Sequence, residues 1–386
     1  MELRSINKAT LKNKRVLLRL DLNVPIHNGR VPKDGQERIL RALPTIKFLL
    51  AKKASVIIVA HLGRPEGQVV EKYSLKPVAL ALQKILGKKI IFWSGDFASH
   101  IAESKNLKPG QIVLLENIRF YPEEQKGDKM FAKKLSQLAD VYINDAFGNI
   151  HRSDASMLAI TYYLPSYAGF LLQDEIKNLS SVLASRRGLA VILGGAKISS
   201  KISLIKKFNK IADQIFIGGA MANTFLKSQA YPVGRSVYDK DYLETAKKLV
   251  SKKMFLPQDV VVASGLEAKI SQNVPVDKVA KDDYILDLGT QSIKYYLQHL
   301  QQAKLIVWNG PLGYFENKLF VKGSKNLLTA VLQTKAKTII GGGETVELLK
   351  KLHLEKKATF VSTGGGAMLE FLEGKKLPAL ERLKVK

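Results

Sequence analysis

The residues best placed to do chemistry stand just past the ends of apolar runs. In the first half of the chain, runs at Arg15–Asp21, Ser55–Ala60, Ile90–Phe92, Ile112–Leu115 and Val141–Asp145 read as buried strands. The first run leads through Asp21 to Asn23, and the second into His61 and Arg64. Ile112–Leu115 leads to Arg119, and Val141–Asp145 to His151 and Arg152. In open parallel sheets, ligands sit outside the carboxyl ends of the strands. These side chains are therefore expected over one sheet edge, with Arg38 joining them from the start of the first helix. Guanidinium groups bind phosphate and carboxylate bidentately and stay charged at any working pH. Asp21 and Asn23 are acceptors suited to a hydroxyl. The pattern predicts a pocket for a small phosphorylated carboxylic acid. One arginine alone would read as a surface ion-pair residue. Arg119 has Glu116 close by for that purpose, and Asp21 could merely fix the turn that follows it. Repetition at separate strand ends favours the pocket. His27, His100, His299 and His353 lack such surroundings and read as surface or structural.

The second half carries a different signal. Apolar runs stop at Gly194-Gly195, Gly218-Gly219, Gly341-Gly342-Gly343 and Gly364-Gly365-Gly366. Each reads as a strand, a tight turn and a helix start. Such turns aim main-chain N–H groups at whatever lies above the sheet, and the helix dipole favours an anion there. Together they predict a surface for a polyphosphate. Lys197 and Lys201, four apart after Gly195, would share one face of a helix start. No Walker motif is present, and Gly-Gly-x-Lys alone is also a common α/β turn. The stretch from Trp308 to Glu316 is a strand end followed by an Asn-, Gly- and Pro-rich loop. Glu316 could accept hydrogen bonds from a ribose, while Trp308 packs in a core.

Strands alternate with helical patterns throughout, so the fold class is α/β with parallel sheets. Helices are expected at about Ile39–Lys52 and Leu75–Leu86, and near Phe131–Leu138. At 386 residues the chain exceeds the usual size of one hydrophobic core, which predicts two domains. A helix from Phe170 to about Ala184 carries an apolar stripe and ends at Arg186-Arg187-Gly188. It serves as the connector. The expected division is 1–168 for the first lobe, 169–187 for the connector and 188–370 for the second lobe, with 371–386 returning to the first.

The composition is that of a globular protein, 46% hydrophobic and 25% charged, and it contains no cysteine. Disulfides and thiolate chemistry are thus excluded. No apolar stretch approaches the ~18 residues of a membrane span, and the first residues carry no signal core. A cytoplasmic protein is expected. The net charge of +27 comes from dispersed lysines, which favours a solvated surface that attracts small anions over a nucleic-acid-binding one. A nicotinamide-dependent dehydrogenase is disfavoured because no Gly-x-Gly-x-x-Gly follows the first strand.

Taken together, these segments resemble the phosphoglycerate kinase family. The matching stretches are RLDLNVP from Arg19, HLGRP from His61, LLENIRF from Leu114 and INDAFGNIHR from Ile143. ILGGAKISSKI from Ile192, WNGPLGYFE from Trp308 and STGGGAMLEFLEGKKLPAL from Ser362 follow in the family's order. The resemblance covers about residues 15 to 380. It implies two Rossmann-like lobes facing a cleft, joined by a helix and hinge. It also implies magnesium-dependent transfer of a phosphoryl group from 1,3-bisphosphoglycerate to ADP, giving 3-phosphoglycerate and ATP, by a monomer that closes its lobes.

By matching positions, Asp21, Asn23, Arg38, His61, Arg64, Arg119 and Arg152 would hold the phosphoglycerate. Lys201, Gly219, Glu316, Gly342, Gly343, Glu344 and Thr345 would meet the nucleotide, with Glu344 also at the metal. Arg38, Lys197, Gly365 and Gly366 would stabilise the phosphoryl group in flight. The chain departs from the family pattern in several places. Glu344 stands where Asp is usual, Ala60 where Ser is common and Ser200 where Asp is common. Ile285 replaces a usual Gly and Thr290 a usual Pro, beside the expected base pocket.

Overall fold

The computed structural model describes residues 1–385 and divides into two compact units. The first comprises Met1–Lys177 and the segment from Lys375 onward, and the second Asn178–Gly374. The division at Lys177 falls within the helix Phe170–Leu183.

The sheet of the first unit contains β1 (Arg15–Leu20), β2 (Ser55–Val59), β3 (Ile90–Trp93), β4 (Ile112–Leu115), β5 (Val141–Asp145) and β6 (Ser166–Ala168). Their order is β3-β4-β2-β1-β5-β6, and every pairing is parallel. All five residues of β2 and of β5 are buried, as a sheet covered on both faces requires. Alternate residues separate into two cores. Val16, Leu18, Val56 and Ile58 pack with Ile46, Leu49, Val78 and Leu82 of the helices Glu37–Ala51 and Lys76–Leu86. Leu17, Ile57, Val59 and Val113 pack with Phe131 and Leu135 of the helix Lys129–Ser136. The first two strands end one residue earlier than expected, so Asp21 and Ala60 already belong to the loops. At the end of β5, Asp145 accepts the Leu172 N–H at 2.9 Å, while Thr45 accepts that of Phe170 at 3.0 Å. These bonds satisfy N–H groups that a helix start leaves without partners. The C-terminal segment adds to this unit: Arg4 N–H donates to Leu383 at 2.8 Å, and Leu383 is fully buried.

The second unit holds β7 (Leu189–Leu193), β8 (Gln214–Ile217), β9 (Met254–Phe255), β10 (Asp259–Ala263), β11 (Gln272–Pro275), β12 (Tyr284–Leu288), β13 (Leu305–Asn309), β14 (Lys337–Gly341) and β15 (Phe360–Val361). Its parallel sheet has the order β15-β14-β13-β7-β8-β9. Trp308 and Ile192 lie in its core with Leu327 and Leu348. A separate antiparallel sheet, β11-β10-β12, was not expected from the sequence. Two of its strands, Val-rich β10 and β12, carry apolar runs that do not themselves distinguish parallel from antiparallel pairing.

The first glycine cluster departs from the expectation of a helix start. After Gly194-Gly195 the chain runs through Ala196–Ile198 and a single turn at Ser199–Lys201, and the helix begins only at Ile202. The reason is a close approach of main chains. Gly194 and Gly195 donate to the carbonyls of Asn309 and Pro311 at 3.0 and 2.8 Å, and Gly219 donates to Leu312 at 2.9 Å. A Cβ on Gly194 would lie 2.0 Å from the Pro311 oxygen. These glycines exist to let two loops touch, and their N–H groups are consumed there. The second, third and fourth clusters do begin helices, Gly219–Ser228, Gly343–Lys351 and Gly365–Glu373.

Candidate active site

In the first unit, the loops after β1, β2, β4 and β5 carry the candidate residues, and Asn117 stitches two of them together. Its side chain accepts from Leu62 N–H at 3.3 Å and from Arg119 N–H at 3.1 Å, and donates to Leu62 and Tyr73 carbonyls at 2.7 and 2.9 Å. Arg119 is thereby held beside the β2 loop, where its guanidinium donates to the Gly63 carbonyl at 3.0 Å. Asn23 accepts the Gly63 N–H at 2.9 Å, so its amide oxygen is engaged by the loop. Asp21 accepts the Asn23 N–H at 3.2 Å and pairs with Arg38, and so both fixes the turn and orients a cation. Glu116 does not pair with Arg119. It accepts from Ser74, Leu75 and Asn117, each at 2.8 Å, and orders the start of the helix Lys76–Leu86.

His61 is buried at the centre of this group. Burial drives its pKa well below the ordinary value, and Arg19, Arg119, Arg152 and Arg38 push it further down. The imidazole is therefore neutral. Arg19 directs an N–H at His61 Nδ1 across 3.3 Å. A guanidinium can only donate, so Nδ1 accepts and Nε2 carries the proton. Arg119 is itself lowered to about 10, first by burial and then by Arg152. Its Nε and Nη2, and Nε of Arg152, are buried without hydrogen-bond partners, although Asp154 stands 3.8 Å from Arg119. Such groups are costly unless an anion satisfies them. Arg64 lies exposed on the loop after β2 and is not among the cations that act on His61.

In the second unit, a mostly apolar cavity of about 290 Å³ is bounded by Gly195, Gly219, Tyr284, Leu312, Glu316 and Glu344 among others. Its size and character suit a planar base. Ile285 and its neighbours in β12 line it. The two expected lysines do not share a face. Lys197 precedes the helix and is exposed, whereas Lys201 is 7% exposed and donates to the carbonyls of Gly194 and Asn309. Burial lowers Lys201 to about 8, with Glu344 pulling it back up. Thr345 is fully buried, and its hydroxyl accepts the Gly310 N–H at 2.8 Å, so its side chain is engaged by the neighbouring loop. Gly343, Gly365 and Gly366 have open space where a Cβ would stand, at the first turns of their helices. These are the N–H groups free to meet phosphate oxygens.

A family profile described as phosphoglycerate kinase matches residues 6–375. The chain belongs to the phosphoglycerate kinase family. It is 44% identical over 393 residues to the phosphoglycerate kinase of Pelotomaculum thermopropionicum, covering 99% of both chains. It is 45% identical over 392 residues to that of Finegoldia magna, covering 97% of this chain and 99% of the relative. The solved phosphoglycerate kinase of Coxiella burnetii superposes with a TM-score of 0.90 at 40% identity, covering 99% of this chain and 98% of that one. That of Pyrococcus horikoshii gives 0.85 at 29% identity with the same coverage. The first unit holds the cation group around His61. Sequence reasoning omitted one member of that group, Arg19, although a charged residue among the buried positions of an otherwise mostly apolar strand was the available signal. It also passed over Glu124, which is fully buried in the short helix Pro122–Lys126. Its neighbourhood of Glu and Lys residues reads as an exposed turn.

Proposed function

We propose that the cation group of the first unit grips the glycerate substrate and that the glycine-led helix starts of the second grip the nucleotide. The chain is a glycolytic phosphotransferase with a carboxyl group as acceptor. It moves a phosphoryl group between 1,3-bisphosphoglycerate and ADP, giving 3-phosphoglycerate and ATP. The observation that carries the residue assignment is the set of arginines around buried, neutral His61, with guanidinium nitrogens still lacking acceptors. A phosphate and a carboxylate supply what those nitrogens need.

Arg119, Arg152 and Arg64 take the phosphate and carboxylate oxygens, and His61 donates from Nε2. Asp21 and Asn23 orient the substrate hydroxyl. Lys201 and the turn from Gly342 to Thr345 hold the nucleotide phosphates, Gly219 lines the nucleotide pocket, and Glu316 holds the ribose. Arg38 and Lys197, with the N–H groups of Gly365 and Gly366, stabilise the moving phosphoryl group. That group spreads charge over its equatorial oxygens in an in-line displacement, so cations and helix starts do most of the work. An acyl phosphate is already activated, and ATP formation needs no general base. Water must be excluded during transfer, or the acyl phosphate hydrolyses.

Magnesium suits the nucleotide side. Among the described residues no group of three or more His, Asp or Glu could hold a metal by itself. Magnesium instead takes most of its ligands from phosphates and water, with one or two carboxylates. Glu344, in the first turn of its helix and near Lys201, is the carboxylate that would hold it. When bound, the ion neutralises charge on the nucleotide phosphates. No helix among the described residues is long and apolar enough to cross a membrane, and the proposal includes a cytoplasmic monomer.

The test is ATP formation from 1,3-bisphosphoglycerate and ADP in a coupled assay, with magnesium and with chelator. Turnover that disappears with chelator and returns on adding magnesium is expected. Full turnover in chelator would remove the metal from the proposal, and no turnover under either condition would remove the activity.

A further inference from the structure

Beneath the cation group, a chain of hydrogen bonds leads away from the substrate side to a buried carboxylate. Glu124 is fully buried. Its Oε2 accepts the Ser156 N–H at 2.8 Å, and its Oε1 accepts the Ser156 hydroxyl at 2.5 Å. With its one proton given to Glu124, Ser156 Oγ presents lone pairs to Arg19, whose Nε donates to it at 2.9 Å. Arg19, also fully buried, donates from Nη1 to the Leu20 carbonyl and directs Nη2 at His61 Nδ1. Tyr142 holds the Ser156 carbonyl at 2.7 Å, so the bridging residue is fixed on its other side as well.

We propose that Glu124 is a positioning residue for glycerate binding: acting through Ser156 and Arg19, it holds His61 in the tautomer that donates from Nε2. This rests on the placement of His61 in the glycerate site. Three physical arguments support it. A buried guanidinium that faces His61 together with Arg38, Arg119 and Arg152, and repels Arg119, needs a buried counter-charge. Burial pushes the Glu124 carboxyl up to about 7, and Arg19 is the main influence pulling it down, ahead of Ser156 and against Asp154. The carboxylate also dictates which way the Ser156 hydroxyl points, and hence which atom faces Arg19. None of these residues except His61 need touch the substrate.

The test separates positioning from the bare field. Above about pH 7, where the Glu124 carboxyl is ionised, removing its negative charge makes the site more positive, which by itself would tighten binding of an anion. Loss of positioning would loosen it. In Glu124→Gln, the KM for 3-phosphoglycerate is expected to rise about tenfold, the scale of one lost charge-assisted hydrogen bond. The KM for ATP should stay unchanged. Ser156→Ala, which keeps the main-chain bond to Glu124, should act in the same direction, and the double variant should be no worse than the more damaging single one. The ring nitrogens provide a readout independent of turnover. In ¹⁵N-histidine spectra of the full chain, assigned with His61→Gln, wild-type His61 should show the Nε2–H form, and Glu124→Gln a mixture of both tautomers. Unchanged ring shifts in both variants, or a KM that falls, would overturn the relay. A wild-type chain lacking kinase activity would instead overturn the site assignment, and the ring shifts would still decide the relay.

Discussion

The ammonium group of Lys201 donates to the carbonyl of Asn309 across 3.2 Å and is almost wholly enclosed. Burial lowers it to about 8, so near that pH it is only partly charged. A nucleotide phosphate placed beside it would favour the charged form and raise its pKa. ADP or ATP binding at pH 8 to 9 should therefore take up a fraction of a proton. Calorimetry in two buffers of different ionisation enthalpy measures this, and Lys201→Met should abolish it. Equal apparent enthalpies for the wild type in both buffers would exclude Lys201 from the phosphates. Stability follows the same sign: the unfolded chain binds more protons between about 8 and the ordinary value of 10.5, so this group makes stability rise with pH across that window.

Arg38 and Lys197 are assigned to the transferring group. Arg38→Ala and Lys197→Ala should each lower kcat by ~10²–10³ with modest changes in KM, the usual scale for removing one donor of this kind. Arg38 also pairs with Asp21, so its replacement should alter glycerate KM more than Lys197→Ala does. Near-normal turnover in steady-state kinetics of either variant would reject its role.

The glycine clusters divide into two kinds, and alanine tells them apart. At Gly194 a Cβ would press on the Pro311 carbonyl. Gly194→Ala should cost about 1–3 kcal/mol in urea unfolding, as overpacking does. At Gly366 a Cβ meets only open space, so Gly366→Ala should unfold like the wild type yet lose kcat, because the methyl group occupies room meant for the phosphoryl oxygens. A fully active Gly366→Ala would move the transfer site elsewhere.

Asp145 is fully buried, with one oxygen on the Leu172 N–H and the other without a partner. Burial raises its carboxyl to about 7. The folded chain holds this proton more tightly than the unfolded chain, so its stabilising contribution is complete below the ordinary value of 3.8 and is lost as pH rises through 7. Asp145→Asn should flatten the fall in stability between pH 5 and 7. Denaturation midpoints across that range, compared with wild type, check it. Parallel pH curves would show that Asp145 is ionised in the native state.

The sheet architecture and the gathering of cations in the first unit were largely legible because both are local signals. Apolar runs report burial on two faces, and a polar residue directly after such a run must lie at a strand end. The nucleotide side was less legible. The same Gly-Gly signal describes a helix start at Gly365 and a loop contact at Gly194, since only the partner loop from Asn309 to Leu312 decides which N–H groups remain free.

By itself the order of residues determined the alternation of strand and helix, the strand ends carrying arginine and histidine, and the absence of thiol chemistry. The tertiary structure alone decided that Lys197 is exposed while Lys201 is enclosed, that Thr345 turns inward, and that Glu124 reaches His61 through Ser156 and Arg19. Periodicity records how each segment meets its own surroundings. Arg19 and Ser156 lie 137 positions apart, and nothing in either segment specifies a contact that exists only once the sheet has brought that strand and that loop together.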